Sequence, residues 1–143
     1  MGAPPSTPSL LAANLLLCES VLTEDSGLRT AVRIVTHIRL AAGSDTAFFN
    51  SLTILTSLPG DHDQHVLKVQ MKGEDASQWQ VVTEAPDHHF VYGYKQDLRD
   101  PGGFSLQTKF AVNVQNLDLS KTFFVEAWLD GERVAHAPLR LLR

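Results

Sequence analysis

In FSLQTKFAVNV, residues 104–114, apolar and polar side chains alternate: Phe104, Leu106, Phe110, Val112 and Val114 fall on one face, Ser105, Gln107, Lys109 and Asn113 on the other. A period of two belongs to an extended strand with one face buried and cannot be a helical stripe. VRIVTHIRL repeats it, with Val32, Ile34, Ile38 and Leu40 expected inward and Arg33, His37 and Arg39 outward; SLTILTSL and VLKVQM follow it more weakly. Turn chemistry separates the runs at TEDSGL, LAAGSD, LPGDHD, KGEDAS, EAPDHH, RDPGGF and LDGERV, and Asp130-Gly131 in the last supplies the positive φ of a tight hairpin. No stretch after residue 22 has helical periodicity. The expectation is about nine short strands in an all-β antiparallel β-sandwich of immunoglobulin-like or C2-like type. Its core should contain Val32, Ile34, Ile38, Phe104, Leu106, Phe110, Val112, Val125, Leu139 and Leu141.

The opening segment is ambiguous. LAANLLLCESVL contains strong helix formers, yet CESVLTEDSGLRTAVRIV reads as two strands around a turn. A strand is favoured. Its faces, Leu15, Leu17 and Val21 against Leu16, Cys18 and Leu22, are both apolar, which suits a central strand or one covered by a partner chain. Ahead of it MGAPPSTPS has the composition of a disordered tail, giving an expected division into a tail, 1–9, and one domain, 10–143.

Composition excludes several classes. The 143 residues are 43% hydrophobic and 20% charged, with a net charge of −4 and no basic run, so neither nucleic acid nor anionic lipid is an expected partner. The one cysteine, Cys18, has no internal disulfide partner and sits in an apolar run, which suits packing and a reducing cytoplasm. The N-terminus lacks the basic start of a secretory signal. Gly2 and Ser6 match the loose myristoylation pattern only by coincidence, since Pro4, Pro5 and the lack of a second membrane signal oppose it. LLAANLLLC is too short to span a bilayer.

The histidines carry the sharpest hint of chemistry. PGDHDQH holds Asp61, His62, Asp63 and His65, and APDHH holds Asp87, His88 and His89. Imidazole and carboxylate together suit zinc, nickel or iron. If strands alternate strictly, the connections TEDSG, PGDHDQH, EAPDHH and NLDLSK share one end of the sandwich and the two clusters meet; this requires QWQVVT and FVYGYK to be separate strands. Against a site, His88 and His89 point to opposite faces of any strand that carries both. His62-x-x-His65 also lacks the glutamate and spacing of the helical zinc motif. Incidental capture of a divalent ion fits this better than catalysis, and no cofactor is expected. Asp61-x-Asp63 alone is a thin calcium rim. PGG at 101–103 has no following helix or Lys-Ser pair for a phosphate loop, and nothing singles out a Ser-His-Asp set.

The ends of the chain carry a resemblance. LLCESVLTEDSGLRTAVRIV and FFVEAWLDGERVAHAPLRLL resemble an uncharacterised family of small bacterial domains that open with a Leu-Leu-Cys-Asp-like strand and close with Asp-Gly-Glu, Ala, Pro and a last strand. This chain departs from that pattern at Glu19, where Asp is expected, and at Phe123-Phe124, where Gly-Glu-Tyr is more usual. The resemblance implies a bacterial cytosolic β-sandwich without catalytic residues.

One further feature points to a partner. In TFFVEAWLD, Phe124, Glu126 and Trp128 share a face that should be polar. Either the N-terminal segment or a loop covers the aromatic pair, or Phe124 and Trp128 anchor a partner, most simply a second copy of the chain. The expectation is therefore a non-enzymatic protein-interaction module that self-associates as a homodimer or docks a protein partner through a sheet face or edge. The competing reading is a metal-binding protein or metal-dependent hydrolase.

Overall fold

An extended chain leaves its backbone N–H and C=O groups pointing sideways, and pairing into sheets satisfies them. A computed structural model describes residues 9–74, 79–94 and 99–143. They form ten strands: β1 (Leu10–Thr23), β2 (Arg29–Ile34), β3 (His37–Arg39), β4 (Thr46–Ser57), β5 (His65–Glu74), β6 (Trp79–Glu84), β7 (His88–Phe90), β8 (Gly102–Asn113), β9 (Phe123–Leu129) and β10 (Glu132–Leu142). The fold is all-β, with two sheets. The first has the order β2-β1-β4-β8; the second has the order β3-β10-β9-β5-β6, with β7 also paired to β5. Every pairing is antiparallel except β3 with β10. Most of the tail expected to be disordered lies outside the described residues, and of the turn expected at KGEDAS, residues 72–77, the first three belong to β5 and the rest lie outside the described residues. Ser9 is described, and its carbonyl accepts the Leu58 N–H at 2.7 Å. Among the described residues no helix is long and apolar enough to cross a membrane.

The inward side chains of both sheets share one apolar cluster, in which Leu17, Phe49, Leu55, Leu67, Val69, Val125 and Leu139 are buried. Phe110, Val112, Val125, Leu139 and Leu141 are buried as the alternation requires, while Phe104 and Leu106 are half-buried. The opening segment is a strand and central, with β2 on one side and β4 on the other. Its two apolar faces follow from that position: Leu15 and Leu17 join the core, and Cys18 is buried on the opposite face, where burial pushes its thiol pKa up.

Two expectations are corrected. VRIVTHIRL is not one strand with one inward face. Arg33 takes φ 53°, a left-handed conformation rare without glycine, and the chain then crosses from the first sheet to the second. The Val35 N–H donates to the Leu17 carbonyl on one side of this corner, and the Arg140 N–H donates to the Thr36 carbonyl on the other. Within β2, Val32 and Ile34 pair with Ser20 and Cys18 on the outward face of the first sheet, and Ile34 is 63% exposed.

The connections also fail to alternate as expected. Leu10 pairs with Ser57, so residues 58–64 lie at the end where β1 begins, and TEDSG lies at the opposite end with the connection between β8 and β9. The physical reason is twofold: the crossover at β2–β3 breaks the alternation, and β6 and β7 follow one another along the same edge of β5. EAPDHH runs along that edge.

The hairpin between β9 and β10 matches its sequence: Leu129 pairs with Glu132, and Asp130 and Gly131 take φ of 48° and 86°. Phe110 stacks on Phe49 with ring centroids 4.9 Å apart, so Phe110→Ala should cost about 3–5 kcal/mol in denaturant unfolding. No atom lies within 4 Å of a Cβ built at Gly131. Gly131→Val should nevertheless lose roughly 1–3 kcal/mol through backbone strain alone, and a variant that melts like the wild type would contradict that turn.

Candidate functional site

The parity that sends Leu67, Val69 and Met71 into the core also sends His65 there, and its ring is completely buried. A buried imidazole needs partners for both nitrogens. Nδ1 lies 2.8 Å from Asp130 Oδ2, and Nε2 lies 2.9 Å from both oxygens of Asp61. Ionised carboxylates only accept, so a ring set between two of them is positioned to donate from both nitrogens, the arrangement that favours the imidazolium form. Burial pulls its pKa down, but the hydrogen bonds and charges of Asp130 and Asp61 outweigh burial and hold it above the ordinary value. For Asp61, burial pushes upward, and the Ser9 hydroxyl, His65 and the Asp63 N–H together bring the carboxyl below its usual range.

The surrounding chain is tied to this ion cluster. Asp130 Oδ1 accepts the Val66 N–H at 2.8 Å, and the Tyr94 hydroxyl donates to the Asp61 carbonyl at 3.0 Å. The Phe90 and Tyr92 rings pack against His65 at 5.5 and 5.0 Å. Burial and then the charges of Asp61, Asp130 and Tyr94 push the Tyr92 phenol up to about 12, so it stays protonated at neutral pH.

Pairing of β7 with β5 brings the two histidine clusters onto neighbouring strands. It does not make them one ligand set. His62 and Asp63 are exposed in the connection, where the His62 ring sits 5.9 Å from Tyr94 and the Asp63 N–H donates to Asp61. His88 stacks on Phe104 at 5.5 Å on the Leu67 side of β7, and His89 lies on the opposite side, with Val66. With both nitrogens engaged, His65 has no lone pair to offer a cation. Among the described residues no group of three or more His, Cys, Asp or Glu is placed to hold a metal ion. Asp130, which completes the cluster, stood in the sequence only as a turn residue.

The two outward faces differ. On the second sheet Phe124 and Trp128 lie outward and are half-buried under side chains of their own sheet. Lys72 Nζ sits 5.6 Å over the Trp128 ring, and the His136 ring lies 6.0 Å from Phe124. Between them Glu126 is only 3% exposed. It accepts from Gln70 at 2.9 Å, Arg133 at 3.0 Å and Trp128 Nε1 at 3.2 Å, with Lys72 at 3.4 Å. Burial raises its pKa, and these donors more than reverse that, leaving it below the ordinary value.

On the first sheet, β4 inverts the usual pattern. Ser51, Thr53 and Ser57 point inward and are fully buried, while Phe48, Leu52 and Ile54 point outward. Phe48 is 70% exposed and lies on the same face as Ile34 and Leu16. Among the outward positions of β1, β2, β4 and β8 on this face the one charged residue is Lys109. Nothing in SLTILTSL distinguished this inverted face from the expected one.

The ion cluster generates a pH prediction. A raised histidine pKa contributes stability that is complete below the unfolded value near 6.5 and is lost as pH rises through the higher folded value. The wild type should therefore lose melting temperature as pH rises above the unfolded value near 6.5, by an increment that His65→Asn lacks. The lowered Asp61 pKa contributes in the opposite sense, above the unfolded value, and is lost as acid protonates it. Asp61→Asn should cost about 3 kcal/mol or more at pH 7, because it leaves His65 buried with half its charge partner gone.

No family model matches the sequence, and no curated protein matches it. Among solved structures the chain is similar to Pseudomonas fluorescens alkylpurine DNA glycosylase AlkC bound to DNA containing an abasic site analog. The TM-score is 0.50 at 11% identity over 90% of this chain, and the match spans 30% of the glycosylase chain, a likeness of fold alone.

Proposed function

We propose that the chain is a non-enzymatic protein-interaction module of a bacterial cytosolic system, a sandwich of immunoglobulin-like or C2-like type that self-associates through the outward face of its first sheet. The observation that carries this reading is the pair Phe48, on the inverted strand β4, and Ile34, on β2, exposed at 70% and 63% in one concavity whose rim carries Glu19, His37 and Arg39. Scattered exposed apolar residues are ordinary, but a strand that places serine and threonine inside and phenylalanine and isoleucine outside calls for a cover.

A second copy is the simplest cover. A two-fold interface brings one patch against itself, and the opposite charges of Glu19 and Arg39 beside Ile34 and Phe48 give such a patch both signs to pair. Four strands at about 4.8 Å spacing, with ten residues at about 3.3 Å each, give a footprint of roughly 600 Å² per copy. Both copies together reach the lower range of specific interfaces, about 1,200 Å². A protein partner also suits the charge better than nucleic acid does, because the face offers no path of cations for phosphates. Phe124 and Trp128, the anchors expected from sequence, are the weaker candidates because Lys72, Glu126, Arg133 and His136 already pack on them. A metal-dependent reading would require His65 to release one of its carboxylates.

Sedimentation equilibrium tests the reading. The wild type should be dimeric at tens of micromolar, and Phe48→Ser with Ile34→Ser should be monomeric without losing its fold. Phe124→Ser with Trp128→Ser should remain dimeric. A monomeric wild type would overturn self-association.

A further inference from the structure

The outward face of the second sheet carries a site that the dimer does not use. It is a cleft of about 250 Å³ lined by Lys72, Phe124, Glu126, Arg133 and His136. Its construction is unusual for a solvent-facing sheet. The central residue, Glu126, is a carboxylate buried to 97%, and Gln70 and Trp128 take part of its hydrogen-bonding capacity with neutral donors. The two cations bound to it, Lys72 and Arg133, remain 25% and 51% exposed. Glu126 therefore fixes both cations in place and neutralises only one of them, so the cleft holds one excess positive charge in a chain whose net charge is −4.

The unspent donors define what would fit. Arg133 uses Nη1 on Glu126, and the rest of its planar guanidinium fork is directed to its half-exposed side. A guanidinium fork matches a carboxylate in a bidentate contact. Lys72 is held by Glu126 and by the Trp128 ring and still has ammonium protons to donate. Phe124, on the same wall, offers apolar contact for a short methylene stem. At roughly 30 Å³ per water, the volume corresponds to about eight waters, enough for a glutamate-sized group.

We propose that this cleft binds a carboxylate group carried on a short aliphatic stem, with Arg133 and Lys72 as its direct contacts and Glu126 as the residue that positions them. The same chemistry is offered by a glutamate side chain of an acidic peptide and by a free dicarboxylic acid. The site lies on the sheet opposite Phe48, so it does not depend on self-association.

The Trp128 indole N–H, which donates to Glu126, is a resident reporter. In ¹H–¹⁵N spectra at low salt, its resonance, assigned with Trp128→Phe, should move saturably on titration with acetyl-tetraglutamate amide, with glutarate, or with both. Movement with glutarate assigns the site to free acids, and movement with the peptide alone assigns it to acidic segments. Arg133→Gln, at an exposed position that should not alter the fold, should weaken binding at least tenfold. Phe48→Ser should leave it unchanged even if that variant proves the self-association reading wrong. The proposal is overturned if neither acid produces a saturable shift, if Arg133→Gln binds as tightly as the wild type, or if inorganic phosphate or a thymidine octanucleotide binds while the carboxylates do not.

Discussion

A buried imidazolium between two carboxylates organises one end of this fold. His65 lies where a core side chain is due, and without Asp61 and Asp130 it would be an unpaired polar ring in an apolar interior, a costly arrangement. Each partner brings its own segment. Asp61 fixes the connection after β4 and, through Ser9 and Tyr94, the start of β1 and the chain after β7; Asp130 fixes the turn between β9 and β10 through Val66. Such a cluster is strongly destabilised by loss of one member, even where its net contribution over an apolar replacement is small. Of the residues most suggestive of metal chemistry, Asp61 and His65 are thus held in a closed polar arrangement with Asp130.

With that end committed to structure, the two sheet faces offer the broadest surfaces for recognition, and they are built on different principles. The first sheet exposes the apolar Phe48 and Ile34 on its outward side, beside Glu19 and Arg39 and beyond the polar row Ser105, Gln107 and Lys109. The second collects lysine, arginine, tryptophan and a buried glutamate into a polar network whose donors outnumber its acceptors. One surface would be stabilised by water release, which salt does not screen; the other would draw an anion, and would weaken as salt screens it. The two modes can therefore be separated by ionic strength.

Much of this architecture is legible in the sequence. FSLQTKFAVNV, the Asp130-Gly131 turn and the doubly apolar first strand behave as local pattern and turn chemistry require, because each depends on near neighbours. Ile34 does not, since its register opposite Cys18 puts it outward, and no glycine announces the left-handed Arg33 at which the chain leaves the first sheet. The burial of His65 could have been inferred from its parity with Leu67 and Val69. Its partnership with Asp130 could not, because that contact joins residues 65 positions apart through the pairing of β5 with β9. SLTILTSL was ambiguous because both of its faces mix polar and apolar groups, and only the position of β4 between β1 and β8 decides which of them the core receives.

The central claim is that the outward face of the first sheet meets its own copy. Mixing isotopically labelled and unlabelled chains and recording only contacts between them tests this most directly, because it reports which atoms touch across the interface. The account predicts intermolecular contacts from the Ile34 methyl groups and the Phe48 ring, and none from Trp128. Intermolecular contacts confined to Phe124 and Trp128, or none in a sample concentrated to millimolar, would contradict it.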